Sequence, residues 1–153
     1  MKLLAIDPAP KDSGYCIIDS NNYTPIEFGK ADNNYLLELV YKNDYDFIAI
    51  EMIASMGMAV GASVFDTCVW IGRLIEASDK EYKYIYRREE KMHLCGTMKA
   101  KDANIRQALI DRFGDVGVKS NKGFFYGFKA DIWSAYAVGI TYLDLYHKGE
   151  KDG

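Results

Sequence analysis

The sequence predicts an α/β fold: a five-stranded mixed sheet whose first three strands are antiparallel, with helices on both faces. Two observations lead to this fold class. Three β-rich runs bounded by Pro, Gly, Asp and Ser open the chain, and later runs alternate with segments of helical periodicity. Because a chain of 153 residues is long enough for one sizeable core, we expect a single domain over residues 1–153.

The first half of the chain is predicted to begin with a meander. Strands are expected at residues 2–7, 14–19 and 25–30. The links between them are short, which favours antiparallel pairing of neighbours. A helix is expected at 33–43, because apolar residues recur there at helical spacing and Asp32 is a suitable N-cap. A buried strand follows at 47–51.

The second half is predicted to alternate helices and strands. The expected elements are a helix at 61–78, a strand at 82–86, a helix at 100–113 and a last helix at 130–147. A basic segment, residues 87–91, follows the strand and is closed by Gly96. Gly114 is expected to end the helix that precedes it. The element order is therefore βββαβαβα with one closing helix.

A glycine-rich loop at 114–128 combines aromatic and basic side chains. Its members include Phe124, Phe125, Tyr126, Phe128, Lys119 and Lys122. Aromatic rings between lysines can stack on nucleic-acid bases while the lysines bind phosphates. The same rings can instead fold onto the core of the domain. Both interpretations are open from the sequence.

Composition excludes several classes of protein and of site. No apolar run approaches the ~20 residues that a membrane-spanning helix requires. The three cysteines are too few and too scattered for a zinc knuckle or a disulfide framework, and neither histidine has the setting of a catalytic triad. We therefore expect a cytoplasmic protein with no membrane partner, in which any catalysis depends on carboxylates.

The charge of the chain is unevenly distributed. The net charge is −3, but residues 80–129 carry 12 of the 19 Lys and Arg and 6 of the 22 Asp and Glu, a local net charge of +6. The rest of the chain has a net charge of −9. A nuclease surface requires cations for phosphates and carboxylates for metal, although solvated helix faces also produce such a division.

Three acids stand where strands end or where a helix begins. Asp7 and Glu51 each close a buried apolar strand, and Asp131 lies in the first turn of the last helix. Taken alone, Asp7 is equally well explained as a turn residue, and Asp131 as a residue that stabilises the helix dipole. Parallel pairing of the first and fourth strands would place Asp7 beside Glu51. Three converging carboxylates repel one another unless divalent cations such as Mg²⁺ or Mn²⁺ lie between them.

Four motifs occur in an order known from one nuclease family. They are Ile6-Asp7-Pro8 with Ser13-Gly14-Tyr15; Ile48-Ala49-Ile50-Glu51; the run Arg88 to Lys91 followed by Lys99-Ala100-Lys101; and Lys129-Ala130-Asp131 before Ala135 and Ala137. In these motifs, and over nearly its whole length, the chain resembles RuvC-type Holliday junction resolvases of the ribonuclease H-like superfamily, especially their small phage and Firmicute relatives. The first motif is the most specific. Each of the others is weak alone, and their order and spacing give the resemblance its strength.

The resemblance implies a ribonuclease H-like fold and a Mg²⁺-dependent endonuclease in which Mn²⁺ can substitute. The implied substrate is branched DNA, above all the four-way Holliday junction, which a homodimer would cut symmetrically to leave 5′-phosphate and 3′-hydroxyl ends. The implied location is a bacterial or phage-infected cell. Asp7, Glu51 and Asp131 are the implied catalytic residues and metal ligands. With the loop lysines added, the residues expected to bind nucleic acid are Arg88, Lys91, Lys99, Lys101, Lys119 and Lys122.

The last motif departs from the family pattern. A second acid or a histidine usually lies about one helical turn from the acid of that motif, whereas here Ser134 follows Asp131 at i+3. The fourth ligand is then expected from Ser134, Asp102 or water, unless a second ion is only weakly held. Two other functions stay open: ribonuclease H-type cleavage of RNA–DNA hybrids, and junction binding without cleavage.

Overall fold

The sheet has five strands, as predicted. In the computed structural model, which describes residues 1–147, the strands are β1 (Lys2–Asp7), β2 (Asp12–Asp19), β3 (Pro25–Asp32), β4 (Phe47–Glu51) and β5 (Glu81–Ile85). Their order across the sheet is β3-β2-β1-β4-β5. β1, β2 and β3 pair antiparallel, whereas β4 pairs parallel with β1 and with β5. The predicted mixed sheet with an antiparallel first half is confirmed.

Helices cover both faces of this sheet. They are α1 (Asn33–Lys42), α2 (Ala62–Ala77), α3 (Arg87–Cys95), α4 (Asp102–Phe113) and α5 (Ala130–Leu145). α1 and α2 pack on one face, and α4, α5 and the end of α3 pack on the other. Asp32 caps α1 as predicted, because its carboxylate accepts a hydrogen bond from the backbone N–H of Asn34 at 2.8 Å.

The alternation of side chains along β1 determines which residues reach which core. Leu4 and Ile6 are buried against α1 and α2, whereas Leu3 and Ala5 are buried against α5. Successive side chains of a strand point to opposite faces, so Asp7 belongs to the face that α5 covers. The same alternation in β4 assigns Glu51 to that face, with Phe47 and Ala49.

α5 approaches the sheet closely through a glycine. A Cβ atom added at Gly139 would lie 2.3 Å from Cδ1 of Ile18 and 3.0 Å from Cβ of Ala5. Both distances are shorter than ordinary van der Waals contact, so any larger residue would push the helix away from the strands. The position of the first turn of α5, where Asp131 lies, depends on this fit.

The predicted element order is wrong at the basic segment, which forms the helix α3. The segment has no apolar periodicity to indicate a helix. Its ends are instead fixed by local hydrogen bonds and backbone geometry: Glu89 accepts a hydrogen bond from the backbone N–H of Tyr86 at 2.9 Å, and Gly96 ends the helix with a φ of 72°. The predicted basic segment and its glycine stop are therefore one structural unit.

The loop at 114–128 also contains structure that was not predicted. A two-stranded hairpin, β6 (Gly117–Val118) and β7 (Asn121–Lys122), lies within it. Phe125 and Phe128 are buried in the core beside α5, and the Phe125 ring lies 4.6 Å from that of Trp133, centroid to centroid. Of the two interpretations of the loop aromatics, the core interpretation is confirmed for these two rings.

Two further expectations concern the extent and setting of the chain. Residues 1–147 build one continuous sheet with its helices, while residues 148–153 of the expected domain lie outside the described range. The helix expected at 130–147 ends at Leu145, two residues earlier than predicted. Within residues 1–147, no helix combines the length and the apolar character needed to cross a membrane.

Candidate active site

Asp7 and Glu51 lie side by side at the carboxyl ends of two parallel strands. The register of β1 with β4 pairs Ile6 with Ile50, so the next residue of each strand is an acid. Both strands are buried up to these positions, and both acids face α5. The sequence-based prediction that parallel pairing brings these two carboxylates together is therefore confirmed as geometry.

Gly14 brings Asp131 to the same place. In the register of β1 with β2, Gly14 is the partner of Asp7. A Cβ atom at Gly14 would lie 2.4 Å from the backbone carbonyl oxygen of Asp131, so only glycine lets the first turn of α5 rest on β2 here. The Ser-Gly-Tyr motif of the sequence thus contains the contact surface for the third acid.

A lysine that the sequence did not single out is bonded to Asp131. Lys30 is the partner of Gly14 in the register of β2 with β3, and its Nζ lies 2.8 Å from Oδ2 of Asp131. Lys30, Gly14, Asp7 and Glu51 therefore form one row across four neighbouring strands. Lys30 offsets part of the negative charge at one end of this row, in a partly exposed position where the ion pair is screened by water.

A buried hydrogen-bond network fixes the turn that follows Asp7. The Ser13 hydroxyl donates to Oδ1 of Asn33 at 2.6 Å and accepts from the backbone N–H of Ala9 at 3.0 Å. The Asn33 side-chain amide donates in turn to the carbonyl oxygen of Ala9 at 2.8 Å. These bonds tie β2 and the start of α1 to the chain after Asp7, so they hold that carboxylate in a defined position.

The electrostatic environment of Asp7 disfavours its charged form. Burial, together with repulsion by Glu51 and hydrogen bonding of its protonated form to Glu51, raises the pKa of Asp7 to about 8. The charge of Asp131 acts in the same direction, and Arg87 opposes it. Asp7 therefore holds its proton near neutral pH. A divalent cation beside it would stabilise its charged form.

Two residues of α3 belong to this site and were not predicted. Arg87 forms ion pairs with Asp102 and with Glu90, the latter at 3.5 Å. Glu90 is fully buried, and its pKa is raised well above the usual range, chiefly by burial and then by Glu51. In the sequence, these residues are marked only by the pair Glu89-Glu90 within a run of Arg and Lys. This pattern does not indicate which of the two acids points into the protein.

The residues present fit a divalent cation by their chemistry. Carboxylate oxygens are the ligands that Mg²⁺ and Mn²⁺ prefer, and the site combines Asp7, Glu51 and Asp131 with the buried oxygens of Glu90. In residues 1–147, no group of three or more acidic, histidine or cysteine side chains is already arranged to hold a metal ion. A bound ion would therefore require side-chain rotations that bring mutually repelling carboxylates together.

Two clefts meet at Arg87. One cleft of about 240 Å³ is lined by Arg87, Asp131, Ser134, Asp102 and Arg106, among others. The second, of about 360 Å³, is lined by Glu51, Met52, Met56, Arg87, Arg88 and Lys91, among others. Asp131 and Glu51 thus open onto concave surfaces that also carry arginine and lysine side chains. Ser134 and Asp102, expected as alternative fourth ligands, share the first cleft with Asp131.

The predicted nucleic-acid-binding residues do not all lie in one place. Arg88 and Lys91 line the cleft that contains Glu51, and Lys91 is half-buried there. Lys99 lines a separate shallow groove between α3 and α4, and Lys101 is the N-cap of α4. Lys119 and Lys122 are exposed on the hairpin. The structure therefore groups two of the six predicted residues with the acids.

Comparison with known proteins identifies the fold. No family model matches the chain, and no curated protein matches it by sequence. Among solved structures, Thermus thermophilus RuvC is similar over 93% of this chain and 93% of its own, with a TM-score of 0.69 and 13% identity. T. thermophilus RuvC in complex with a Holliday junction substrate is similar over 93% and 92%, with a TM-score of 0.68 and 11% identity.

A third similar structure comes from a eukaryote. The yeast mitochondrial Holliday junction resolvase Ydc2 is similar over 92% of this chain and 78% of its own, with a TM-score of 0.63 and 10% identity. At such identities the likeness establishes the fold. The chain therefore has the fold of RuvC-type resolvases, and the ribonuclease H-like fold that the sequence motifs predicted is confirmed.

Proposed function

We propose that this protein is a divalent-metal-dependent endonuclease that cuts branched DNA, with the four-way Holliday junction as its preferred substrate. The observation that carries the proposal is that Asp7, Glu51 and Asp131 meet at one edge of the sheet. The chain around this edge has the fold of Holliday junction resolvases. Cleavage would hydrolyse a phosphodiester bond and leave 5′-phosphate and 3′-hydroxyl ends.

The proposed role of the three acids is to hold Mg²⁺, or Mn²⁺ in its place. When bound, such an ion supplies Lewis-acid chemistry that favours attack on a phosphodiester and departure of the leaving oxygen. Asp7 would give up the proton that its pKa of about 8 retains in the free protein. Ser13 and Asn33 would keep the Asp7 turn in place, and Gly14 would set the distance of Asp131 from it.

The proposed path of the DNA backbone follows the cations beside Glu51. Arg88 and Lys91 share the larger cleft with that acid, so a phosphate held by them would lie close to the candidate metal ligands. Lys99, Lys101, Lys119 and Lys122 are solvent-accessible, and their proposed role is to bind the more distant arms of a branched substrate. Binding of this kind weakens steeply with salt.

We also propose that the protein acts as a homodimer, because symmetrical cleavage of a junction needs two active sites. The supporting observation is an apolar surface on α2 and the segment before it. Phe65 and Val69 lie one helical turn apart and are 61% and 60% exposed, and Met56 and Met58 are exposed beside them in sequence. A second copy of the chain would remove this surface from water.

The nuclease proposal is tested by incubating the purified protein with a synthetic four-way junction and Mg²⁺ or Mn²⁺. Metal-dependent nicking is expected from the wild type, and Asp7→Asn is expected to abolish it. Asp44→Asn is the matched control, because Asp44 is exposed and precedes β4 at its opposite end. The absence of metal-dependent nicking by the wild type, or equal nicking by Asp7→Asn, would refute the proposal.

The same assay separates the two alternatives. A competition between the four-way junction and an RNA–DNA hybrid of matched length measures substrate preference, and faster cleavage of the hybrid would make the protein a ribonuclease H. Tight junction binding in EDTA that stays unproductive after Mn²⁺ is added would instead indicate a binding protein. The absence of a second acid one helical turn after Asp131, where Ser134 stands instead, is the observation that makes this last outcome worth measuring.

The homodimer is tested by light scattering during size-exclusion chromatography. The wild type is expected at twice the 17.3 kDa mass of the chain, and Phe65→Asp is expected to shift it to the monomer. Tyr41→Asp is a suitable control, since Tyr41 is an equally exposed aromatic residue on α1. A monomeric wild type at working concentration would contradict the proposal.

A further inference from the structure

Glu90 is a buried carboxylate without a hydrogen-bond donor. It is the buried residue of α3, with none of its surface exposed to water. Neither of its two carboxylate oxygens accepts a hydrogen bond from any residue in the range 1–147. Leaving an ionised acid in this condition is costly, and the one cation close to it within residues 1–147 is Arg87, at 3.5 Å.

The charged groups around Glu90 are those of the candidate active site. After burial, Glu51 has the largest influence on its ionisation, followed by Arg87 and Asp7. Arg87 is the nearby cation, but its contact with Oε1 of Glu90 is 3.5 Å long, and the same guanidinium is also bonded to Asp102. One shared arginine does not balance Glu51, Glu90 and Asp7 when all three are ionised, so a bound cation would be needed for the three to carry their charges together.

The last helix has no second acid one turn from Asp131, and α3 brings Glu90 to the same group of acids. α5 contributes Asp131, followed at i+3 by Ser134 rather than by another carboxylate. α3 packs on the same face of the sheet as α5 and carries Glu90 to Glu51. A fourth carboxylate is therefore present beside Glu51, on α3, whereas the fourth ligand had been expected from Ser134, Asp102 or water.

We propose that Glu90 is the fourth carboxylate ligand of the divalent-cation site, beside Asp7, Glu51 and Asp131. The inference deepens the proposed nuclease function and rests on it. It assigns the unpaired oxygens of Glu90 to a cation and accounts for an acid inside a helix that is otherwise polar and basic on its outer surface. Oxygen donors from four elements of secondary structure, the adjacent strands β1 and β4 and the helices α3 and α5, would then enclose the ion.

The test measures metal binding directly. Isothermal titration of Mn²⁺ into wild-type protein gives an affinity and a number of bound ions without any DNA. Glu90→Gln is expected to weaken the affinity about tenfold or more, in the range known for changes around a metal site, or to reduce the number of ions by one. Glu38→Gln is the matched control, because Glu38 is exposed on α1, on the other face of the sheet.

The choice of glutamine separates a ligand from a positioning residue. A glutamine keeps the shape of a protonated Glu90 and can still hydrogen-bond Glu51, so a purely structural role would leave Mn²⁺ binding unchanged. Unchanged affinity and ion number in Glu90→Gln, with the wild type still nicking junctions, would overturn this inference and leave the nuclease proposal standing. A wild type that binds no Mn²⁺ would overturn both.

A second measurement does not depend on the folding of a variant. Crystals of the wild type soaked in Mn²⁺ give an anomalous signal at the ion. A peak within about 2.0–2.6 Å of a Glu90 carboxylate oxygen, the range for hard cations and oxygen ligands, is the expected result. An ion held by Asp7 and Glu51 with Glu90 out of reach would refute the assignment.

Discussion

Two acidic centres on the same face of the sheet have opposite surroundings. At the candidate active site, Asp7 and Glu90 are buried near other carboxylates, and the pKa of each is raised. At the far end of α5, Asp144 accepts hydrogen bonds from Tyr23 and Arg112 and contacts His93 at 2.6 Å. These donors lower the pKa of Asp144 to about 2 despite its partial burial.

The difference shows which acids stabilise the fold. Asp144 joins α5 to α3, α4 and the turn before β3, and its charge is balanced by the bidentate contact with Arg112, at 2.6 and 3.0 Å. The carboxylates of the active site join elements as well, but with fewer cations for their number: Lys30 pairs with Asp131, and Arg87 lies 3.5 Å from Glu90. A protein that keeps uncompensated acids at a cost in stability does so where function needs them.

The largest expected effect comes from neutralising an acid in the first centre. Glu51→Gln is predicted to lower the rate of junction cleavage by about 10²–10³-fold or more, the order known for loss of one charge-stabilising group. In EDTA it is predicted to raise the melting temperature, because it removes repulsion of Asp7 and Glu90. Gel-based cleavage assays and thermal melts measure the two effects. A fall in the melting temperature would contradict the claim that Glu51 repels Asp7 and Glu90 in the metal-free protein.

The reverse outcome is predicted for Asp144→Asn. This change leaves Arg112 and Tyr23 without a charged acceptor, and it is expected to cost about 1.5–3 kcal/mol of the free energy of unfolding. The cleavage rate of the folded variant is expected to stay near that of the wild type, since Asp144 lies outside the candidate site. Urea unfolding by circular dichroism gives the first value, and a large loss of cleavage below the unfolding transition would be the contrary result.

Gly14→Ala tests how the third acid reaches the first centre. The added Cβ atom would lie 2.4 Å from the Asp131 carbonyl oxygen, so the first turn of α5 has to move. We expect a loss of about 1–3 kcal/mol of stability from overpacking together with weaker Mn²⁺ binding. Gly61→Ala, where an added Cβ atom meets nothing within 4 Å, is the control. Equal Mn²⁺ affinity in both variants would show that the position of Asp131 does not matter for the metal.

The last prediction concerns the pH dependence of stability in EDTA. The pKa of Asp7 is raised from 3.8 to about 8, so the folded state binds its proton more tightly, and stability falls as the pH rises from about 4 to about 8. The pKa of Asp144 is lowered from 3.8 to about 2, so the stability that it provides is lost as the pH falls from about 4 to about 2.

Melts across this range check both signs. Each kcal/mol corresponds to roughly 2–4 °C in the melting temperature of a domain of this size. Asp7→Asn is expected to weaken the decline above pH 4, and Asp144→Asn the decline below it. A wild-type melting temperature that rises between pH 5 and pH 8 in EDTA would contradict the raised pKa of Asp7.

Much of the fold could be predicted because it depends on local patterns. Leu3 to Ile6 and Phe47 to Ile50 read as buried strands, and the helical spacing of the last helix was visible. α3 could not be predicted from apolar periodicity, since its one buried residue is an acid. The hairpin at Gly117–Val118 and Asn121–Lys122 is too short to show a strand pattern.

The candidate site likewise has residues that could be predicted from the sequence and residues that could not. The two acids that follow β1 and β4 could be predicted to meet, because a carboxylate at the end of an apolar strand is unusual and strand pairing is the common way to bring two such ends together. The packing of the folded chain was needed to show that Lys30 reaches Asp131 and that Gly14 supports it. It alone also turned Glu90, rather than its neighbour Glu89, towards Glu51. The physical reason is that the effect of a charge depends on distance and burial, and neither is written in the order of residues along a helix.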